Sequence, residues 1–233
     1  MEKLVYLLWS QPSRSDSGIN AFREELLKTL PGELHHDGAS QLKISVTDSA
    51  VESGEKLHIG PLAPDALISF WLECVHERST CEAAISRCSS RMAGYLVVES
   101  QPIRQHSAGD LKGVRTPGFS LIGCIEPKKG LSHSEFINRW ESVHRAVAIE
   151  TQKTFSYIRN EVVRALTTDA PAWRGIVEEG FPIEALTDPR VFYDAVGDDE
   201  KFRMNAKRMV DSCAAFLSFE RVDSHPMSEY RFF

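Results

Sequence analysis

The feature that most limits what this chain can fold into is an order of elements that occurs twice. The first half opens with an apolar run of strand length, "KLVYLLW". A polar turn, "SQPSRSDSG", leads into a helix with Ile19, Phe22, Leu26 and Leu30 at helical spacing. "QLKISVTD" alternates as a strand, with Leu42, Ile44 and Val46 on one face. "ALISFWLE" is another strand, "STCEAAISRCSS" a helix with Cys81, Ala84, Ile85 and Cys88 inward, and "AGYLVVES" the closing strand. The second half runs the same way. "GFSLIGCIE" reads as strand, "SHSEFINRWESVHRAVAIETQ" as helix, "TFSYIRNEVVRAL" and "WRGIVEEGF" as strands. Helical segments over 183–212 break near Asp188-Pro189 and Gly197, and "AAFLSFERVDS" is the last strand. Both closing strands carry an aromatic residue, Leu and then Glu: Tyr95-Leu96 to Glu99, and Phe216-Leu217 to Glu220. Pro102 and Pro226 follow them.

Each half therefore reads β-α-β-β-α-β, a ferredoxin-like unit. Such a sheet has helices on one face only, and its other face must be covered. Two such sheets in one chain can cover each other. The predicted fold is α+β: tandem ferredoxin-like repeats forming a pseudo-dimeric α/β barrel, with units over residues 1–103 and 118–233. A Gly/Ser/Pro-rich linker over 104–117 joins them. "TFSYIRNEVVRAL" supports mutual cover. Ile158, Val162 and Leu166 lie on one face and Phe155, Tyr157 and Val163 on the other, whereas a strand wet on one side alternates more cleanly.

The bulk properties narrow the function classes. With 42% hydrophobic residues in 233, the chain can bury a sizeable core. A net charge of −6 argues against tracking the phosphates of a nucleic acid. No basic run resembles a membrane patch, and the longest apolar stretches are far too short to span a bilayer. The N-terminus enters a strand with no signal-peptide arrangement, so a cytoplasmic location is expected. Five cysteines fit reduced thiols better than a disulfide framework. Cys81 and Cys88 stand roughly 10 Å apart on one helix, too far for a disulfide. Cys74, His76, Cys81 and Cys88 match no ordinary zinc spacing, so no metal is expected. No G-x-G-x-x-G, P-loop or G-x-S-x-G occurs, which points to cofactor-free chemistry or simple binding.

The helix over 132–152 carries the strongest site signal. Ser132 and Glu135 form a capping box, and Leu131 with Phe136 flank it as a hydrophobic staple. Phe136, Trp140, Val143 and Val147 fall on one stripe, with His144 at its edge. Offsetting the halves sets Phe22 on Trp140 and Leu26 on His144, so the histidine has no counterpart in the first half.

Residues 118 to about 227 resemble the EthD-like family of the dimeric α/β barrel superfamily. The resemblance rests on "GLSHSEF", on "RWESVH" with Trp140 and His144, on "YIRN" with Tyr157 and Asn160, and on the closing "FLSFERV". The first half fits only in its order of elements. The resemblance implies a pocket between helix layer and sheet, in the open interior of the barrel, and units that pair as homodimers. It also implies chemistry such as dehydration or decarboxylation of polyketide-like aromatics, or cofactor-free oxygenation. Fold alone does not choose among these.

His144 is the candidate acid or base, since an imidazole lining an apolar pocket can hold its pKa near working pH. The competing reading is a core histidine bonded to backbone. Tyr157 and Asn160, on the next strand, could orient it or polarise a substrate carbonyl. Trp140, Trp173 and Tyr193 are candidate lining residues, with Phe181 and Phe192 beside them, and each fits a plain core equally well. Tyr193 lies on an irregular segment of the kind that forms lids. His35-His36-Asp37 reads as a solvated turn. Glu178 and Glu179 alternate on a strand and point to opposite faces, so they do not converge as a catalytic pair. The expected function is binding of a small hydrophobic or aromatic compound, with lyase, dehydratase or cyclase chemistry ahead of oxygenation. A non-catalytic carrier and an accessory protein to a degradation enzyme are the alternatives. A homodimer is left open.

Overall fold

The computed structural model describes residues 1–10, 17–104 and 112–233. Most of the first polar turn and the centre of the 104–117 linker lie outside the described residues. Eight strands form one closed antiparallel ring, in the order β1-β3-β2-β8-β5-β7-β6-β4. They are β1 (Glu2–Trp9), β2 (Ser40–Val46), β3 (Ala66–Leu72), β4 (Arg91–Ile103), β5 (Phe119–Pro127), β6 (Ser156–Ala165), β7 (Gly175–Phe181) and β8 (Leu217–Arg231). Among the described residues six α-helices accompany them: α1 (Ser17–His36), α2 (Ser79–Cys88), α3 (His133–Asn138), α4 (Arg145–Thr151), α5 (Pro189–Phe192) and α6 (Asp199–Ala214).

The pleat assigns alternate residues to two cores. On β1, Leu4, Tyr6 and Leu8 pack with Phe22, Leu26 and Leu30 of α1 and with Cys81 and Ile85 of α2. Val5 and Leu7 point the other way. They join Leu67 and Val97 from the first half and Ile122, Ile176 and Met227 from the second inside the ring. Each fully buried Leu or Val contributes about 1.5–3 kcal/mol. The ring closes through two pairings between the halves, β4 with β6 and β2 with β8. Among the described strands no sheet edge is left open.

The two ends of the ring differ. At one end, residues 58–62 form a strap over β8. Ile59 and Ser224 exchange backbone hydrogen bonds, and Leu62 N–H donates to Asp223 Oδ2 at 2.9 Å. Trp9 Nε1 donates to the Leu62 carbonyl at 2.5 Å. His58 Nδ1 stands 3.0 Å from His225 Nδ1, and His225 is bonded in turn to Asp223. Gly60 has φ of +87°, and a Cβ there would meet the Val222 carbonyl at 2.5 Å, so only glycine fits.

The other end is charged. Lys3 Nζ contacts Glu99 at 2.5 Å, Asn160 Oδ1 at 2.8 Å and Glu178 Oε1 at 3.4 Å. Lys43 Nζ meets Glu178 Oε2 at 2.6 Å. Burial by itself pushes the Glu178 carboxyl up. The two ammonium groups outweigh it and hold the pKa down at about 2. Burial likewise lowers the Lys43 pKa, but Glu178 and Glu229 carry it above the usual lysine value.

Several sequence expectations need correction. β8 runs to Arg231, well past Ser224, and Pro226 lies inside it. That position pairs with Leu121 of β5, while the β2 ladder starts only at Ser228, so the missing N–H breaks no second ladder. His35 and His36 end α1 on an exposed face and do not form a turn. Val163 is surface rather than covered core: it is 52% exposed, because the β4–β6 register skips it between Val162 and Arg164.

The charged end should dominate single-site stability. Glu178→Ala leaves two buried ammonium groups short of a carboxylate and should cost about 3–5 kcal/mol. Glu141→Ala, at an exposed carboxylate, should cost less than about 1 kcal/mol. Urea denaturation of both variants checks this, and equal losses would contradict it.

Candidate functional site in the helix layer of the second half

The capping box starts the helix as its spacing predicts. Ser132 N–H donates to Glu135 Oε2 at 2.8 Å, and Glu135 N–H returns a bond to Ser132 Oγ at 3.3 Å. Leu131 packs in the same cluster as Phe136. The helix then departs from α geometry. Arg139–His144 is a π-helical turn between α3 and α4, and Arg145 N–H bonds back to the Trp140 carbonyl. One wide turn shifts the faces downstream. Val143, expected on the buried stripe, is 54% exposed. His144 is turned inward to a half-buried position, and Ala148 and Thr151 are buried below it.

Trp140 seats close against β7 because residue 175 is glycine; a Cβ there would stand 2.6 Å from the indole. Its Nε1 donates to Tyr157 Oη at 3.1 Å. The phenol proton is thereby left to another acceptor. Burial and the nearby Glu179 raise the Tyr157 pKa, so the phenol stays protonated. The Arg159 guanidinium lies 5.7 Å from the Trp140 ring centre. It donates through Nε to Ser100 at 3.1 Å and through Nη2 to Glu141 at 3.4 Å. Its buried Nη1 has no hydrogen-bond partner among the described residues. A cavity of about 40 Å³ bordered by Ser100, Trp140, Glu141 and Arg159 adjoins it, room for about one water.

His144 Nδ1 is 3.0 Å from Ser212 Oγ on α6, and its ring is 4.9 Å from that of Phe216. Burial, and then the charge of Arg159, lower its pKa to about 4. The imidazole is therefore neutral at physiological pH. Tyr193 joins Tyr157, Met209 and Cys213 in an apolar cluster between β6, β7 and α6.

Glu179 faces this cluster from β7. It is half-buried, and burial alone raises its pKa to about 7. Among the described residues no hydrogen bond or ion pair reaches it. Its charge bears on Tyr157 and on Cys213, whose thiol is pushed up to about 12 by burial and then by that carboxylate. Glu178 and Glu179 are thus driven in opposite directions by the two faces of one strand.

Of the residues singled out by sequence, Trp140, Tyr157 and Tyr193 meet in this layer, and His144 borders it. Asn160 and Trp173 lie across the sheet, inside the ring. Asn160 Nδ2 donates to Glu178 at 3.0 Å and to the Ile176 carbonyl at 3.1 Å, while Trp173 packs with Tyr95 and Ile176. Asn160 is three residues from Tyr157, and odd spacing on a strand means opposite faces. Arg159, Ser212 and Cys213 escaped the sequence reading, and Glu179 entered it only as half of a non-converging carboxylate pair. The available signal was a carboxylate between Val177 and Phe181 on the helix-facing side of β7.

Residues 128–213, which contain this layer, match the EthD domain model. The whole chain also resembles solved structures. One is an anthrone oxidase-like protein, with 9% identity, 99% of this chain and 92% of that chain covered, and a TM-score of 0.54. Another is a candidate monooxygenase of Fusobacterium nucleatum, with 10% identity, 100% and 92% covered, and a TM-score of 0.48. At 9% identity the likeness to the anthrone oxidase-like protein is one of fold. No curated protein matches the chain. No helix of the described residues is long and apolar enough to cross a membrane.

The helix layer makes a pH prediction. A pKa depressed from 6.5 to about 4 means that the unfolded chain binds the His144 proton more tightly. The stability tied to neutral His144 is complete above pH 6.5 and drains away as pH falls toward 4. NMR titration of the ring should give a midpoint near 4, and Arg159→Gln should raise it part of the way. A midpoint at the ordinary histidine value would contradict this assignment.

Proposed function

We propose that the EthD domain binds a small hydrophobic or aromatic carbonyl compound beneath α6 and catalyses proton transfer on it without a cofactor. A dehydration fits best. The observation that carries the reading is Glu179, an unpartnered carboxyl with a pKa of about 7 facing Tyr157 and an apolar cluster. A group half-ionised at working pH can both accept and return a proton. Carboxylate 179 takes a proton from the carbon next to the carbonyl. The enolate oxygen meets the free phenol proton of Tyr157. Protonated Glu179 then delivers its proton to the departing hydroxyl, which leaves as water. His144, given the acid–base role on sequence grounds, here stays neutral and serves as a hydrogen-bonding group held by Ser212. Trp140 and Tyr193 form apolar walls. Asn160 and Trp173 support the opposite face of the sheet.

The same proposal treats the chain as a fused pair of βαββαβ units, residues 1–103 and 118–233, joined by 104–117. Its support is that each half supplies four successive members of the ring in the same internal order, β4-β1-β3-β2 and β8-β5-β7-β6. Fusion makes a single chain sufficient to close the barrel, so a homodimer is not needed to complete the site.

Glu179→Gln is the test, applied with a panel of aromatic β-hydroxy ketones. Turnover should fall about 10²- to 10⁴-fold, and the limb of the pH–rate profile near 7 should vanish while binding is kept. The variant should also gain stability relative to wild type at pH 8 and lose that gain at pH 4, because a raised carboxyl pKa stabilises the fold only at low pH. Unchanged turnover with an unchanged pH limb overturns the assignment. Binding of the panel with no turnover in wild type supports a carrier instead.

A further inference from the structure

The charged end of the barrel holds a cavity of about 210 Å³, on the face of the sheet opposite the EthD helix layer. It is larger than the ~150 Å³ space that accommodates a benzene ring and smaller than a drug-sized pocket. Its wall carries three cations, Lys3, Lys43 and Arg231, against one carboxylate, Glu99. The acids that balance the other cations, Glu178 and Glu229, stand behind them and do not line it. The cavity therefore sees the positive side of a layered charge arrangement.

Two polar groups there have bonding capacity to spare. Lys43 is buried, with 8% of its side chain exposed; it meets Glu178 at 2.6 Å, and Glu229 stands at 3.8 Å, beyond hydrogen-bond reach. An ammonium has three donors, so at least one is unused among the described residues. Ser69 Oγ, opposite Lys43 in the β2–β3 register, has no hydrogen-bond partner among the described residues. The remaining wall is apolar, with Trp71 on the same face of β3 and Ile158 across the ring. The backbone is shaped around this opening. β2 gains an extra residue between Ser40 and Lys43, and Gln41 sits at the rim with φ of +53°. Bulges and left-handed non-glycine residues cost energy and concentrate where a site requires them.

We propose that this end of the barrel binds a small organic anion, a carboxylate on a single ring. The carboxylate bonds Lys43 and Ser69, and the ring packs on Trp71 and Ile158. This site is separate from the one around Glu179 and does not rest on the proposed reaction.

Titration calorimetry of the full chain with benzoate tests it, with benzamide and inorganic phosphate as comparators. Benzoate should bind saturably. Benzamide should bind about 10- to 100-fold more weakly, the worth of a charge-assisted bond. Phosphate, which has no ring, should also bind more weakly. Lys43→Met should weaken benzoate by a similar factor. Because that change disturbs Glu178, Ser69→Ala and Trp71→Leu serve as variants that leave the ion network intact, and each should weaken benzoate severalfold while Glu179-dependent turnover is unchanged. Equal binding of benzoate and benzamide overturns the proposal. So does benzoate affinity that survives all three substitutions, or no binding at millimolar benzoate.

Discussion

The structure depends on one constraint: a sheet with helices on a single face cannot leave its other face wet when both faces are apolar. Val5, Leu7 and Leu67 from the first half have no helix to cover them. Ile122, Ile176 and Met227 from the second half are in the same position, and the two sets cover one another. The β4–β6 and β2–β8 pairings that close the ring follow from this need, and they also remove every open sheet edge. The helices are left outside, where each half can build a separate layer.

Ring closure sorts the polar residues by parity. A strand passing between an interior and a helix layer offers alternate side chains to two environments with little in common. β7 shows the consequence most clearly. Glu178 enters the ring among two lysines and is held ionised, whereas Glu179 enters a layer of Tyr157, Met209 and Cys213 and is pushed toward the neutral acid. Nothing in the covalent chemistry of the two residues differs. The difference comes from which neighbours burial supplies.

Much of the architecture was legible because it rests on periodicity. Alternation in "QLKISVTD", the stripe of Phe22, Leu26 and Leu30, and the capping box at Ser132 are local signals, and tertiary packing had no reason to override them. The opposite facing of Glu178 and Glu179 was legible for the same reason. The π-turn at Arg139–His144 was not, because no residue type announces a widened turn; it exposed Val143 and turned His144 inward. The strand character of "HPMSEYR" was hidden by Pro226, tolerated only because β8 has a single strand neighbour there. The EthD resemblance fell on the same half of the chain that matches the EthD domain model. It placed Asn160 beside His144 only by nearness in sequence, and the pleat separates them. The significance of Glu179 is a property of burial without a partner, and single-sequence reading does not register which carboxylates lack partners.

The central claim is that one strand holds two adjacent glutamates in opposite electrostatic states. Carbon-13 NMR of the side-chain carboxyls, followed from pH 2 to pH 9, measures it directly. The account predicts that the Glu178 signal titrates near 2 and the Glu179 signal near 7. Coincident titration of both carboxyls near 4.5, the ordinary value for glutamate, would contradict it.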